Sequence, residues 1–278
     1  MRAARVHAAL SVGLLVAGLL AGLLAAGPAV AAGCARPLFL TFDTGHMGVA
    51  PLVAEVLRRQ DVKVTFFLAN ERTQTDGGSL DAQWAPWWRA RVAEGHLFAS
   101  HTFDHVYWRA DRADGGFEVR PSAGPQAGVR STMNAAQYCA ELARPAARLA
   151  EIAGRPAMAA LFRAPGGKTS PALLAAASRC GWTHVGWSPA GFLGDELSSD
   201  RHPNDRLLKQ ALRDIRPGDI LLAHLGIWSR QEVWAPAVLE PLIVGLKARG
   251  HCFATLTEHP ELGEAARRPA PTSSPSRP

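Results

Sequence analysis

From Pro37 onward, short apolar runs alternate with stretches in which apolar residues recur every three or four positions. Leu38 to Phe42 reads as a buried strand, Val49 to Arg59 as an amphipathic helix, and Val62 to Leu68 as a second strand. Strand, helix and strand in that order predict neighbouring parallel strands joined by a crossover. The alternation continues with a helix over Trp84–Glu94 and a strand over Leu97–Ser100, then a helix over Ala135–Ala153 and a strand over Met158–Phe162. A helix capped by Ser170 and ending at Cys180-Gly181 precedes a strand over 182–187. Helices over 204–214 and 236–249 lead to strands over Asp219–Ala223 and Cys252–Leu256. Residues 109–131, rich in Gly, Pro, Arg and Asp, read as an inserted loop. The pattern predicts an α/β fold: one domain, a distorted and incomplete (β/α) barrel of about seven parallel strands.

Both ends depart from this pattern. Arg2 and Arg5 precede an uncharged run from Val6 to Cys34 that ends in small residues at Ala29–Ala32. This reads as a signal peptide over residues 1–32, with Gly27-Pro28 breaking the helix before an Ala-x-Ala site. The run is also long enough for an uncleaved anchor, and Ala-Ala-Gly before Cys34 forms a degenerate lipidation site. Export to the periplasm or beyond is expected, with no stable membrane span after cleavage. From Glu261 the Pro, Ser, Ala and Arg content predicts a disordered tail over 261–278, leaving 33–260 as the domain.

The 278 residues are 47% hydrophobic and 19% charged, enough for a core that needs no staples. Five of the basic and two of the acidic residues lie outside 33–260, so the net charge of +6 falls to +3 within it. No run of Lys or Arg is interleaved with aromatics, which argues against nucleic acid as a partner. A mildly basic surface suits an anionic envelope or an acidic glycan. The four cysteines, Cys34, Cys139, Cys180 and Cys252, leave three pairings open and are too widely spaced for a Cys-x-x-Cys motif.

In a parallel barrel the chemistry gathers at the C-terminal ends of the strands. There the sequence places Asp43, His101 with His105, Arg163, Ser188 and His224. His101 and His105, four residues apart, would share a face of a helical turn and could bind one divalent ion. Asp43 ends an apolar strand, where a carboxylate needs a cation, a metal or water. Arg163 emerges from another strand with a guanidinium able to clamp a carboxylate. His224 lies between apolar neighbours in Ile220–Gly226. Each alone has a bland structural explanation. As a set they supply what hydrolysis of an unreactive amide or ester requires: a metal, a carboxylate base and an imidazole acid.

These residues resemble the polysaccharide deacetylases of the NodB-homology group, carbohydrate esterase family 4. Thr41-Phe42-Asp43 is similar to the family's T-F-D-D segment, His101-Thr-Phe-Asp-His105 to its H-[ST]-x-x-H metal pair, and Arg163-Ala-Pro-Gly-Gly167 to its R-x-P-x-G motif. Leu222-Ala-His224 resembles the segment carrying the acid. The resemblance covers about Leu38 to Thr257. It implies a distorted (β/α) barrel and a metal-dependent hydrolase removing N-acetyl or O-acetyl groups from an envelope or extracellular glycan. Asp43 would be the base, Arg163 its orienting partner and His224 the acid. His101 and His105 would bind a divalent ion, zinc first and cobalt or nickel as alternatives.

Two positions depart from the family pattern. Thr44 stands where a second Asp supplies the third metal ligand, leaving His46, or a hydroxyl or water at Thr44, to fill the place. The segment Trp187–Phe192 lacks the Asp that supports the acid, for which Asp195, Asp200 or Ser188 are candidates. Trp228 and Trp234, on the segment after His224, are expected to contact substrate, as are Pro165 and Gly166 beside Arg163. The alternatives are a hydrolase of another non-peptide C–N bond, or an inactive relative that grips sugar.

Overall fold

The computed structural model describes residues 34–271. The signal peptide expected over 1–32 and the end of the tail, 272–278, lie outside the described residues. Seven strands form one parallel sheet: β1 (Pro37–Asp43), β2 (Thr65–Leu68), β3 (Leu97–Ser100), β7 (Leu161–Phe162), β8 (Thr183–His184), β9 (Ile220–His224) and β10 (Cys252–Phe253). All seven were expected from the sequence. Helices α1 (Ala50–Arg59), α2 (Ala85–Ala93), α3 (Ala135–Ala153), α4 (Pro171–Arg179), α5 (Asn204–Asp214) and α6 (Leu239–Ala248) fall between them.

The order β10-β1-β2-β3-β7-β8, with β9 also on β1, curls the sheet. β10 pairs with Pro37 and Leu38 of β1, β2 with Thr41–Asp43, and β9 with Phe39–Asp43. Beyond β8 the chain is irregular but reaches back to β9: Ser188 N–H donates to Ile220 O at 3.0 Å, and Phe192 bridges Leu222. The result is a distorted, incomplete (β/α) barrel.

Alternation along each strand explains where the core and the chemistry lie. Leu38, Leu40 and Phe42 of β1, Phe66 of β2 and Phe98 of β3 are buried toward the helices, among Val53, Leu142 and Leu242. The opposite phase faces the barrel interior, where Phe39, Phe67, Ala99, Leu161, Val185 and Leu256 pack together. Continuing that phase reaches His101 and Arg163 two residues beyond Ala99 and Leu161, and Asp43 four beyond Phe39 by way of Thr41, so the inward rows turn from apolar to polar and ionisable at the barrel mouth.

Helix ends follow their local sequence. Asn134 and Gln137 make a capping box at the start of α3, Gly154 ends it with φ of 70°, and Ser170 caps α4 through Leu173 N–H. The four cysteines all pair: Cys139–Cys180 ties α3 to the end of α4, and Cys34–Cys252 ties the chain before β1 to β10.

Two regions differ from the sequence expectation. The segment read as a loop, 109–131, belongs to a three-stranded antiparallel sheet, β4 (Val106–Asp111), β5 (Phe117–Pro121) and β6 (Ser131–Met133). Order also continues past Pro260. Helix α7 (Gly263–Arg267) buries Ala265 and Ala266, and Pro269 bridges Ala159. Its small side chains pack without an apolar run long enough to notice. Among the described residues no helix is long and apolar enough to cross a membrane.

Candidate active site

Asp43, the last residue of β1, is 3% exposed. Burial works to raise its carboxyl, but Arg163, with His101 and His224, outweighs it and holds the group below the ordinary Asp range. Arg163 follows β7 and is completely buried. Its Nη1 donates to Asp43 Oδ1 at 2.7 Å and to Thr41 Oγ1 at 2.9 Å; Nη2 donates to Gly186 O at 3.1 Å and Nε to Val185 O at 3.3 Å. Its plane lies over the Phe67 ring, 4.0 Å from the centroid. A guanidinium held on so many sides cannot swing, so Asp43 Oδ1 is fixed and Oδ2 alone faces the site.

His101 and His105 come together through a tight turn, not through the helical face expected. Thr102 and His105 take positive φ of 59° and 49°, a conformation that costs non-glycine residues on the order of 1 kcal/mol or more each. Hydrogen bonds hold the turn against that cost: Val106 N–H donates to Thr102 Oγ1 at 2.7 Å, and Asn70 N–H to Phe103 O at 2.6 Å. The two imidazole centroids are 4.8 Å apart.

His101 Nδ1 lies 2.8 Å from Arg163 O. A carbonyl only accepts, so Nδ1 carries the proton and Nε2 presents its lone pair. Burial pushes this histidine down to about 4, with Asp43 countering in part, so the ring is neutral near pH 7. His105 Nδ1 is 2.5 Å from Ser122 Oγ, on the residue after β5. The inserted sheet therefore orients one imidazole of the pair.

Facing His105 is a residue the sequence analysis did not single out, Glu71, just beyond β2. Its Oε2 accepts from Thr44 Oγ1 and from Gly45 N–H, both at 2.6 Å, and its Oε1 is 3.9 Å from His105 Nε2. Burial tends to raise its carboxyl, but His105, the two hydrogen bonds and His101 outweigh that and lower it. Nothing in Ala69-Asn70-Glu71-Arg72 distinguishes this glutamate from a surface one. Its place after a strand's C-terminal end is the sole signal in the sequence.

His224 ends β9 beside Asp43 in register. Asp195 grips it twice, accepting from its backbone N–H at 2.6 Å through Oδ2 and lying 3.0 Å from its Nδ1 through Oδ1. Burial acts to lower the imidazole, yet Asp195, then Asp43 and Glu196, overcome it and raise the ring to about 9. Of the three candidates to support His224, Asp195 thus does so. Asp200 binds Ser198 Oγ, and Ser188 Oγ accepts from Ile220 N–H.

His46 has partners of its own: Nδ1 accepts from Gly48 N–H at 3.0 Å, Nε2 lies 3.4 Å from Gln74 Nε2, and the ring packs edge-on to Trp228 at 5.0 Å. It lines a cavity of about 230 Å³ with Asp195, His224, Ile227 and Trp234. Trp228 is 60% exposed, with the Arg72 guanidinium over its ring at 5.7 Å, whereas Trp234 is buried at 4%. Pro165 is buried and Gly166 exposed; a side chain on Gly166, at φ of 61°, would begin 2.8 Å from the Tyr107 ring.

The donor chemistry fits a divalent cation, although no three His, Cys, Asp or Glu groups among the described residues stand at ligand spacing as they are. His101 Nε2 points its lone pair at Asp43 Oδ2 from 3.4 Å. An acceptor facing an acceptor in a buried site calls for a cation or a proton between or beside them. Two imidazole Nε2 atoms and a neighbouring carboxylate are ligands that zinc and related ions take.

A polysaccharide deacetylase family model matches residues 31–185. The chitooligosaccharide deacetylase of Azorhizobium caulinodans is 28% identical over 229 residues, covering 79% of this chain and 92% of its own. The family 4 acetyl xylan esterase of Clostridium thermocellum, solved in complex with a cobalt ion, is similar with a TM-score of 0.61 at 22% identity, over 86% of this chain and 99% of its own. The chitin deacetylase of Colletotrichum lindemuthianum gives 0.61 at 19% identity, over 88% and 96%. The solved structures share the fold described above.

Proposed function

This chain belongs to the polysaccharide deacetylase family, and from that premise we propose a metal-dependent hydrolase that removes acetyl groups from an N-acetylated or O-acetylated polysaccharide of the envelope or exterior. The observation that carries the proposal is the buried Asp43, locked by Arg163 on one oxygen, with His101 on the other and His224 paired beside it. His101 and His105 would hold the ion, zinc in the first instance. When bound, the ion polarises the acetyl carbonyl and acidifies water.

The protein's own groups do the rest. Asp43 Oδ2 takes the proton of the attacking water, and Arg163 keeps that carboxylate ionised and correctly turned. His224, raised to about 9, is protonated near neutral pH and gives its proton to the departing amine or alcohol. Asp195 holds that imidazole in position as the orienting member of the pair. Trp228, exposed at the rim, offers a flat face for a sugar ring. Two disulfides support an exported protein, since such bonds persist in oxidising compartments.

Purified protein supplied with zinc is expected to release acetate from N-acetylated chitin oligomers or peptidoglycan, and to stop doing so with a chelator. Oligomer binding without acetate release under saturating zinc would favour the sugar-gripping alternative. Ammonia or amine release from a small amide, with glycans untouched, would favour hydrolysis of a different C–N bond.

A further inference from the structure

We infer that Glu71 supplies the third protein ligand of the metal site, in place of the acidic residue that Thr44 lacks. This rests on the metal-dependent reading above and goes beyond it, because it moves an anionic ligand from the loop after β1 to the loop after β2.

The geometry around Thr44 carries the inference. Thr44 is completely buried, and a hydroxyl there adds no negative charge to the site. What it does is donate to Glu71 Oε2, while its oxygen also accepts from Ala69 N–H at 3.2 Å. Gly45 N–H is the second donor to the same carboxylate oxygen. With Oε2 doubly held, the Glu71 side chain is fixed and Oε1 is left facing His105 Nε2. Its side chain is 20% exposed, and among the described residues it forms no ion pair with Lys or Arg. A fixed carboxylate whose free oxygen looks onto an imidazole pair is arranged for a cation.

The spacing agrees with that role. A tetrahedral ion with ligand bonds of about 2.1 Å keeps its ligands roughly 3.4 Å apart. The 3.9 Å between Glu71 Oε1 and His105 Nε2 is within a small side-chain rotation of that separation. Charge explains why the two positions are coupled. An Asp at position 44 would set a second carboxylate within hydrogen-bonding reach of Glu71, a repulsion the buried pocket could not screen. Threonine removes the clash and converts the lost ligand position into a support for the new one. Two imidazoles and one carboxylate is a recurrent zinc set, and with Asp43 nearby the two anionic side chains balance a divalent charge.

The test is zinc titration calorimetry on the full protein, with the absorption spectrum of the cobalt-loaded form as second readout. Glu71→Gln keeps an acceptor for Thr44 and Gly45 and so preserves the fold, checked by circular dichroism. It is expected to weaken zinc at least a hundredfold and to alter the cobalt bands, while His46→Ala leaves zinc affinity within about twofold. The double variant Thr44→Asp, Glu71→Ala is expected to regain most of the lost affinity. Zinc affinity and cobalt bands in Glu71→Gln equal to those of the parent would overturn the inference. Should Glu71→Gln fail to fold, a crystal of the parent protein grown with zinc decides. A Glu71 oxygen bonded to the ion supports the inference, and Glu71 held on Thr44 and Gly45 with both oxygens away from the ion overturns it. A parent protein that binds no zinc at all defeats the metal-dependent reading itself, a different outcome from either.

Discussion

Asp195→Asn isolates the electrostatics of the proposed acid. In the structure Asp195 is the largest influence opposing burial at His224, and together with Asp43 and Glu196 it raises that imidazole to about 9. The asparagine still accepts from the His224 backbone N–H but carries no charge. Burial is then opposed only by Asp43 and Glu196, and the histidine falls from about 9 toward its ordinary value. The protonated, competent form persists below the imidazole pKa and is lost as pH rises through it, so the basic limb of kcat should move to lower pH. A fall all the way from about 9 to the ordinary 6.5 would cut the protonated fraction at pH 8 roughly thirty-fold, the upper bound on the effect, whereas at pH 5.5 the fraction is nearly unchanged. The assay is acetate release from a chitin oligomer between pH 5 and pH 10 at saturating zinc, with zinc affinity measured in parallel. A loss of activity that is the same at every pH, with the basic limb unmoved, would refute the assignment of His224 as an acid poised by Asp195.

Other variants probe the remaining roles. Asp43→Asn should keep zinc and lose turnover by about 10²- to 10⁴-fold, the usual worth of a general base; full activity in that variant would rule out Asp43 as the base. His101→Ala should abolish tight zinc binding, read by elemental analysis after dialysis. Ser122→Ala removes the partner of His105 Nδ1 and should weaken zinc by about 10- to 100-fold without touching a ligand; an unchanged affinity would mean that the inserted sheet does not orient the imidazole. The Cys139→Ala, Cys180→Ala double variant opens a link spanning 41 residues and should lower unfolding free energy by about 4 kcal/mol in the chain-entropy description, measured by urea denaturation.

The barrel was legible because its longer strands are buried on both faces and so appear as apolar runs interrupted only by a threonine, as in Leu38–Phe42 and Val64–Leu68. The inserted sheet was hidden differently. β5 does alternate, with Phe117, Val119 and Pro121 buried and Glu118 and Arg120 exposed, but flanking Gly and Pro residues masked five residues of signal. α7 was hidden by its small side chains. Asp43, His101, Arg163 and His224 could be found because the inward phase of each strand carries straight into them. Glu71 could not be found that way. Its meaning comes from Thr44 and Gly45, 27 and 26 residues away, and only the fold brings them together. The turn at His101–His105 shows a related gap: a spacing of four suggested a helix, while positive φ at Thr102 and His105 achieves the same convergence. Cysteine spacing likewise left three pairings open, until β10 and α4 carried Cys252 and Cys180 to their partners.

In the proposed reaction a divalent ion at His101 and His105 works with Asp43 to hydrolyse an acetyl group. The decisive assay is acetate release from an N-acetylglucosamine oligomer, measured on one preparation as purified, after metal stripping and after zinc is returned. Activity is expected to disappear on stripping and to return with about one zinc per chain. Acetate release that is indifferent to stripping, or absent with zinc bound and oligomer saturating, would rule out the metal-dependent reaction.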